Sequence, residues 1–200
     1  MNLYEQSSRS DYSGQVRVFV GIDLPQNVRD HLASALSMAS GPRTGRNPWI
    51  PSMNWHVTLG FFGEQPEGIV DDLTQNLAGA ARQTPPFDLS LSGAGTFRHD
   101  VCWIGVNDPA NALGPLADKV RQTYATSHQH AQNRFHVTVS RSGRQSNLAH
   151  TMRALSVYQG PAWTVRDLVL YQSILGEGPG GHPLYTPVST MNLDGGGGGI

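Results

Sequence analysis

Hydrophobic positions along the chain follow two rhythms, one alternating and one helical, and the change from one to the other marks out the elements. In VRVFVGI (16–22), Val16, Val18, Val20 and Ile22 form one apolar face while Arg17 and Phe19 point the other way, which is the period of a strand. From Pro25 to about Met38, the spacing of Val28, Leu32, Ala35 and Leu36 predicts an amphipathic helix. The Gly- and Pro-punctuated loop SGPRTGRNPWIPS leads to a strand over 55–62, and a helix is expected from about Pro66 to Arg82. FDLSLSGAG (87–95) and VCWIGV (101–106) read as a strand pair around a loop carrying Phe97 and Arg98. A helix over about 110–128, a strand beginning at His136 and a helical stretch over 145–157 follow, and TVRDLVLYQSIL and HPLYTPV form a final strand pair joined by GEGPGG.

Strands and helices are mixed without the regular βαβ order of a parallel doubly wound sheet, so the fold class is α+β with two similar lobes. Residues 1–14 are expected to be a disordered polar segment, 15–190 a single bilobal domain and 191–200, closing in GGGGGI, a flexible tail.

Two of the strands carry the same four-residue pattern. His56-Val57-Thr58-Leu59 lies in WHVTLGFF, and His136-Val137-Thr138-Val139 lies in FHVTVSR. Alternation sets His56 and Thr58 on one face, and His136 and Thr138 likewise, while the intervening valines and the following aliphatic residue turn into a core. Each strand thus offers an imidazole beside a hydroxyl. With 8 His in 200 residues the pattern is expected on the order of 0.01 times per chain, so two copies point to chemistry rather than to packing. Two such strands facing each other make a symmetric acid/base site.

Composition narrows the partners. Hydrophobic residues make up 38% and charged residues 14%, as in a globular protein with one sizeable core. Net charge is −1, so no broad basic surface is available to hold long nucleic acid by counterion release, and any such substrate must be gripped locally. The basic residues are 13 Arg and a single Lys, Lys119. No run of about 18 apolar residues is present, and the opening MNLYEQSSRSDYSG lacks the apolar stretch of a signal peptide; a cytoplasmic location away from membranes is expected. The single cysteine, Cys102, lies in a strand-like run and reads as a packed, inert thiol.

These residues resemble the two-histidine phosphoesterase superfamily, in particular the RNA 2′,3′-cyclic phosphodiesterase branch once named 2′-5′ RNA ligase. The first-half pattern His-x-Thr-x-x-Phe is matched by His56, Thr58 and Phe61, and the second-half pattern His-x-Thr-x-x-Arg by His136, Thr138 and Arg141. An opening RVFVGIDLP, the approach WIPSMNWHVTL, the stretch Gly95-x-Phe97…Trp103 and the closing LYQSILGEGPGG…Y agree in order. The resemblance implies two pseudo-symmetric antiparallel sheets with outer helices around a central groove. His56 and His136 face each other across it as the catalytic pair, with no metal or other cofactor.

The implied substrate is an RNA or nucleotide end bearing a 2′,3′-cyclic phosphate, whether on an RNA fragment, a short oligonucleotide or a small cyclic nucleotide, opened to a 2′-phosphomonoester; a monomer is expected. His56 then acts as the acid on the leaving 3′-oxygen and His136 as the base for water. An unperturbed pKa near 6.5 allows one imidazole to be neutral and the other protonated near neutral pH. Thr58, Thr138 and Arg141 are the expected phosphate contacts, although strict alternation puts Arg141 on the face opposite His136 unless the strand ends or bends near Ser140. Phe19, Phe62, Trp103 and Tyr171 share the groove face as packing rings, and loop residue Phe97 is the candidate for stacking a terminal base.

Three other readings are weaker. A zinc hydrolase would present clustered ligands, whereas the only close histidine pair is His128 and His130. Nucleotide-driven ligation lacks a Gly-Lys-Ser/Thr phosphate loop, leaving 2′-5′ ligation as a reverse activity. A non-catalytic nucleotide- or RNA-end-binding module could use the same groove, and turnover separates it from the enzyme.

Overall fold

The computed structural model describes residues 14–40, 49–97, 101–124, 134–141 and 148–196. In chain order the elements are β1 (Gln15–Asp23), α1 (Gln26–Ser40), β2 (His56–Pro66), α2 (Val70–Arg82), β3 (Phe87–Phe97), β4 (Val101–Asn107), α3 (Leu113–Gln122), β5 (His136–Ser140), α4 (Ala149–Ala154), β6 (Gln159–Val165), β7 (Asp167–Ile174) and β8 (Leu184–Asn192). The strands form one sheet in the order β6-β3-β4-β5-β2-β1-β7-β8, with every pairing antiparallel. At its centre β2 and β5 are joined only through Val57 and Val137, so two four-stranded halves meet at a single bridge. The resemblance implies two antiparallel sheets; the bridge joins the corresponding halves into one.

Among the described residues, two of the four α-helices are exchanged between the halves. α1 follows β1 in the chain yet packs on β6, while α3 follows β4 and packs on β2; α2 covers β7 and β8, and α4 covers β3. The apolar faces of both halves therefore drain into one core that runs from Val18, Val20 and Leu59 to Leu89, Ile104 and Val139. The helix residues Val28, Leu32, Ala35 and Leu36 are buried in it as their spacing predicts, as is Cys102, whose thiol is pushed up in pKa by burial. Among the described residues no helix is long and apolar enough to cross a membrane.

Several boundaries differ from the sequence reading. β2 does not stop at residue 62 but continues to Pro66, because its far end pairs with the start of β1, Gln15 opposite Pro66; α2 accordingly begins at Val70, with Asp71 and Asp72 at its positive end. TVRDLVLYQSIL is not one strand, since Val165 ends β6 and Asp167 begins β7. β6 was not legible in QGPAW because Pro161 argues against a strand; it is an edge strand, where a missing N–H is tolerated.

The expected flexible tail starts too early. β8 runs to Asn192, Leu193 is buried, and the amides of Gly195 and Gly196 donate to the carbonyls of Thr84 and Arg82. The segment 1–13, Arg98, His128, His130 and residues 197–200 lie outside the described residues.

Candidate active site

The central bridge pairs Val57 with Val137, and this places the two motifs side by side. Val57, Leu59, Val137 and Val139 are buried below the sheet, while His56, Thr58, His136 and Thr138 line one cavity of about 330 Å³ above it. Phe61 and Arg141 line the same cavity, although both are five residues beyond their histidine.

The register explains how. Opposite β1, Gly21 pairs with Thr58 and Val20 with Gly60, so Leu59 is an extra residue on β2; opposite β4, Trp103 pairs with Thr138 and Cys102 with Ser140, so Val139 is the extra residue on β5. Each bulge shifts the alternation by one and turns the fifth residue back towards the groove. In both patterns the first x after the threonine is this extra residue. Strict alternation therefore fails for Arg141, which reaches the cavity. It fails for Phe62 too, which is a core ring packed 6.2 Å from Tyr124 rather than a groove residue.

Both imidazoles are held in the same way. His56 Nδ1 lies 2.9 Å from the carbonyl of Asn54, and His136 Nδ1 lies 2.9 Å from the carbonyl of Arg134. A carbonyl can only accept, so Nδ1 carries the proton and Nε2 is left for a substrate. Aromatic rings flank each imidazole: Phe19 at 4.7 Å and Tyr185 edge-on at 5.3 Å for His56, Phe97 edge-on at 5.0 Å for His136. Phe97 is thus the end of β3, not a loop residue. Phe19 and Tyr171 stack at 5.1 Å in a small cluster of their own beneath His56.

This packing sets the protonation states. Burial pushes the pKa of His56 down to about 4, and burial also lowers that of His136; Arg141 adds to both, and the two carbonyl bonds only partly oppose it. In the unliganded site both imidazoles are therefore neutral at neutral pH. The expected pairing of one neutral with one protonated ring does not hold there. An anion bound between them would favour the protonated form of either imidazole.

Several cavity residues were missed by sequence reasoning. Ile50, Asn54, His182, Pro183 and Tyr185 all contribute to the lining; Ile50 and Asn54 lie in the approach WIPSMNWHVTL and Tyr185 ends the closing pattern, whereas His182 and Pro183 had no signal beyond the strand run HPLYTPV. Asn54 is a hinge of the arrangement: its carbonyl holds His56, and its side-chain amide donates to the carbonyl of Pro183 at 2.8 Å. Arg29, a buried guanidinium on α1, donates to the carbonyls of Leu24, Ser52 and Trp55 and pairs with Asp23, which pins the turn before His56.

Two imidazoles, two hydroxyls and a guanidinium around one cavity can supply proton transfer and anion contacts to a phosphate ester. The chain belongs to the 2′-5′ RNA ligase superfamily, which it matches over residues 28–177. It is 34% identical to the RNA 2′,3′-cyclic phosphodiesterase of Escherichia coli K12, over 88% of this chain and 96% of that protein. The enzyme of the same name from Methanothermobacter thermautotrophicus is 27% identical over 90% and 100% of the two chains. Among solved structures, E. coli LigT complexed with 3′-AMP superposes with a TM-score of 0.69 at 27% identity, covering 90% of this chain and 99% of that one.

Proposed function

We propose that this protein is an RNA 2′,3′-cyclic phosphodiesterase that hydrolyses 2′,3′-cyclic phosphate ends to 2′-phosphomonoesters by paired-histidine catalysis. The observation that carries the mechanism is the matched tethering of His56 and His136 through Nδ1, which leaves both Nε2 atoms free at one cavity. The relatives named for this activity, and the 3′-AMP complex of one of them, support the substrate class.

In the proposed step, Nε2 of His136 takes a proton from water as its oxygen bonds to phosphorus. The bond from phosphorus to the 3′-oxygen breaks, and His56, protonated in the complex, gives its proton to that oxygen. Thr58, Thr138 and Arg141 donate to the non-bridging oxygens as charge gathers there. The two imidazoles carry both proton transfers and the threonines and Arg141 the anion contacts, so the proposed step is expected to proceed without a metal ion.

The test is an oligonucleotide ending in a 2′,3′-cyclic phosphate, with products resolved by phosphorus NMR. The expected product is the 2′-phosphomonoester, formed at the same rate after exhaustive treatment with EDTA. A dominant 3′-phosphate would reverse the leaving-group assignment. Loss of activity with EDTA and its return with zinc, manganese or magnesium would overturn metal independence, and binding without turnover would leave only the binding-module reading.

A further inference from the structure

A second cleft of about 300 Å³ opens beside the catalytic cavity on the β3–β4–β5 half and shares no lining residue with it. Its wall is a stack built up from the sheet. Gly95 pairs across the strands with Trp103, and a Cβ at Gly95 would overlap the indole, so that ring lies flat on the strand. The guanidinium of Arg134 covers the indole at 4.7 Å from the ring centroid. Trp103 is only 7% exposed, whereas Arg134 is open to solvent, so the outermost layer of the stack is a planar cation. Phe97, 37% exposed, packs 5.4 Å from Trp103 and 5.0 Å from His136, which makes the aromatic surface continuous from the catalytic imidazole to the cleft.

Charge points the same way. Among the described residues the ion pairs are Arg29 with Asp23 and Arg121 with Asp118, and Arg134 has no acidic partner. A solvent-exposed guanidinium plane with free donors at its rim stacks on a nucleobase and reaches a phosphate at once. The catalytic cavity, at about 330 Å³, has room for a terminal nucleotide and little more.

We infer that the Arg134–Trp103 stack is a second nucleotide subsite, which receives the nucleotide adjoining the cyclic phosphate end and makes an RNA oligonucleotide, rather than a free cyclic nucleotide, the preferred substrate. This rests on the phosphodiesterase reading given above. The subsite reads no base edge, so it accepts any of the four bases, as stacking platforms do.

The test compares kcat/KM for a 2′,3′-cyclic mononucleotide with that for a trinucleotide carrying the same end, in the wild type and in Arg134→Gln, Arg134→Lys and Arg17→Gln. Arg134→Gln keeps the backbone carbonyl that holds His136, and any change in that imidazole acts on both substrates, so the oligonucleotide-to-mononucleotide ratio isolates the subsite. The ratio is expected to be well above one in the wild type and to fall about tenfold in Arg134→Gln, the size of one lost stacking contact. Arg134→Lys is expected to keep the salt dependence on the oligonucleotide while losing most of the ratio.

An unchanged ratio in Arg134→Gln, or a wild-type ratio near one, would overturn the inference while leaving the enzyme reading intact. A ratio lost in Arg17→Gln instead would place the strand over the other half, where Arg17 lies 4.7 Å from the Phe61 ring, and would overturn it as well. Turnover of neither substrate by the wild type would refute the enzyme reading itself.

Discussion

The same imidazole at two positions meets different surroundings, and the difference sets the chemistry available to each. His56 rests on Phe19 and Tyr185 and is pushed down to about 4, while His136, beside Phe97, is lowered by burial as well. In the proposed mechanism, replacing either by alanine removes one proton-transfer partner, while the main core keeps Val57 and Val137 on the opposite face of the same strands. We expect His56→Ala and His136→Ala each to lower kcat by roughly 10²- to 10⁴-fold with unchanged circular dichroism. Near wild-type turnover in either folded variant would end the paired-histidine mechanism.

The pH profile follows from the same groups. kcat/KM reports the free enzyme; it falls at low pH as the base is protonated and at high pH as the acid loses its proton. Because both pKa values lie below the usual 6.5, both limbs are displaced to the acid side, and the maximum should fall below about pH 6.5. A maximum at pH 8 would contradict this assignment.

Strands carry these side chains, and irregularity in the strands aims them. The extra residues Leu59 and Val139 turn Phe61 and Arg141 to the groove, and a regular strand would have buried or misdirected both. The β3–β4 pair supports His136 in another way, through the indole lying on Gly95. Gly95→Ala should displace that ring and with it the Phe97 contact to His136. We expect a loss of about 1–3 kcal/mol in stability, typical of an overpacked site, together with reduced turnover. Urea denaturation read beside initial rates checks both, and wild-type stability in this variant would show that the indole moves freely.

Across the whole molecule, α1 and α3 cross between the halves and the buried residues of both halves form one continuous cluster, so neither half has a core of its own. Unfolding should therefore be a single transition, coincident in far-ultraviolet dichroism and in tryptophan fluorescence, which samples Trp55 next to the first motif and Trp163 in β6. Two separated transitions would show independent lobes. Acid should weaken the fold through His56: its folded pKa of about 4 lies below the unfolded 6.5, so the unfolded chain takes up the proton first. That contribution is intact above about pH 6.5 and is lost as pH falls towards 4, to a total of about 3 kcal/mol. His56→Gln should be the less acid-sensitive protein in urea titrations at pH 7 and pH 4.5, and an equal loss in both would remove His56 as the cause.

Local pattern alone determined the alternating and helical runs, the α+β class and the duplicated motif, because side-chain period and residue chemistry are properties of neighbours in the chain. It set His56 with Thr58, and His136 with Thr138, on one face of their strands, since two residues of regular strand suffice to carry an imidazole and a hydroxyl to one face. Tertiary structure alone decided what depends on partners distant in sequence. The bulges that recover Arg141 and misplace Phe62 exist only in register with β1 and β4, and β6 is a strand only because β3 pairs with it. The lowered pKa values come from rings on β1, β3 and β8, and the turn before His56 is pinned by Arg29 from α1. Burial, register and electrostatic environment are sums over spatial neighbours, and a linear sequence specifies those neighbours only once it has folded.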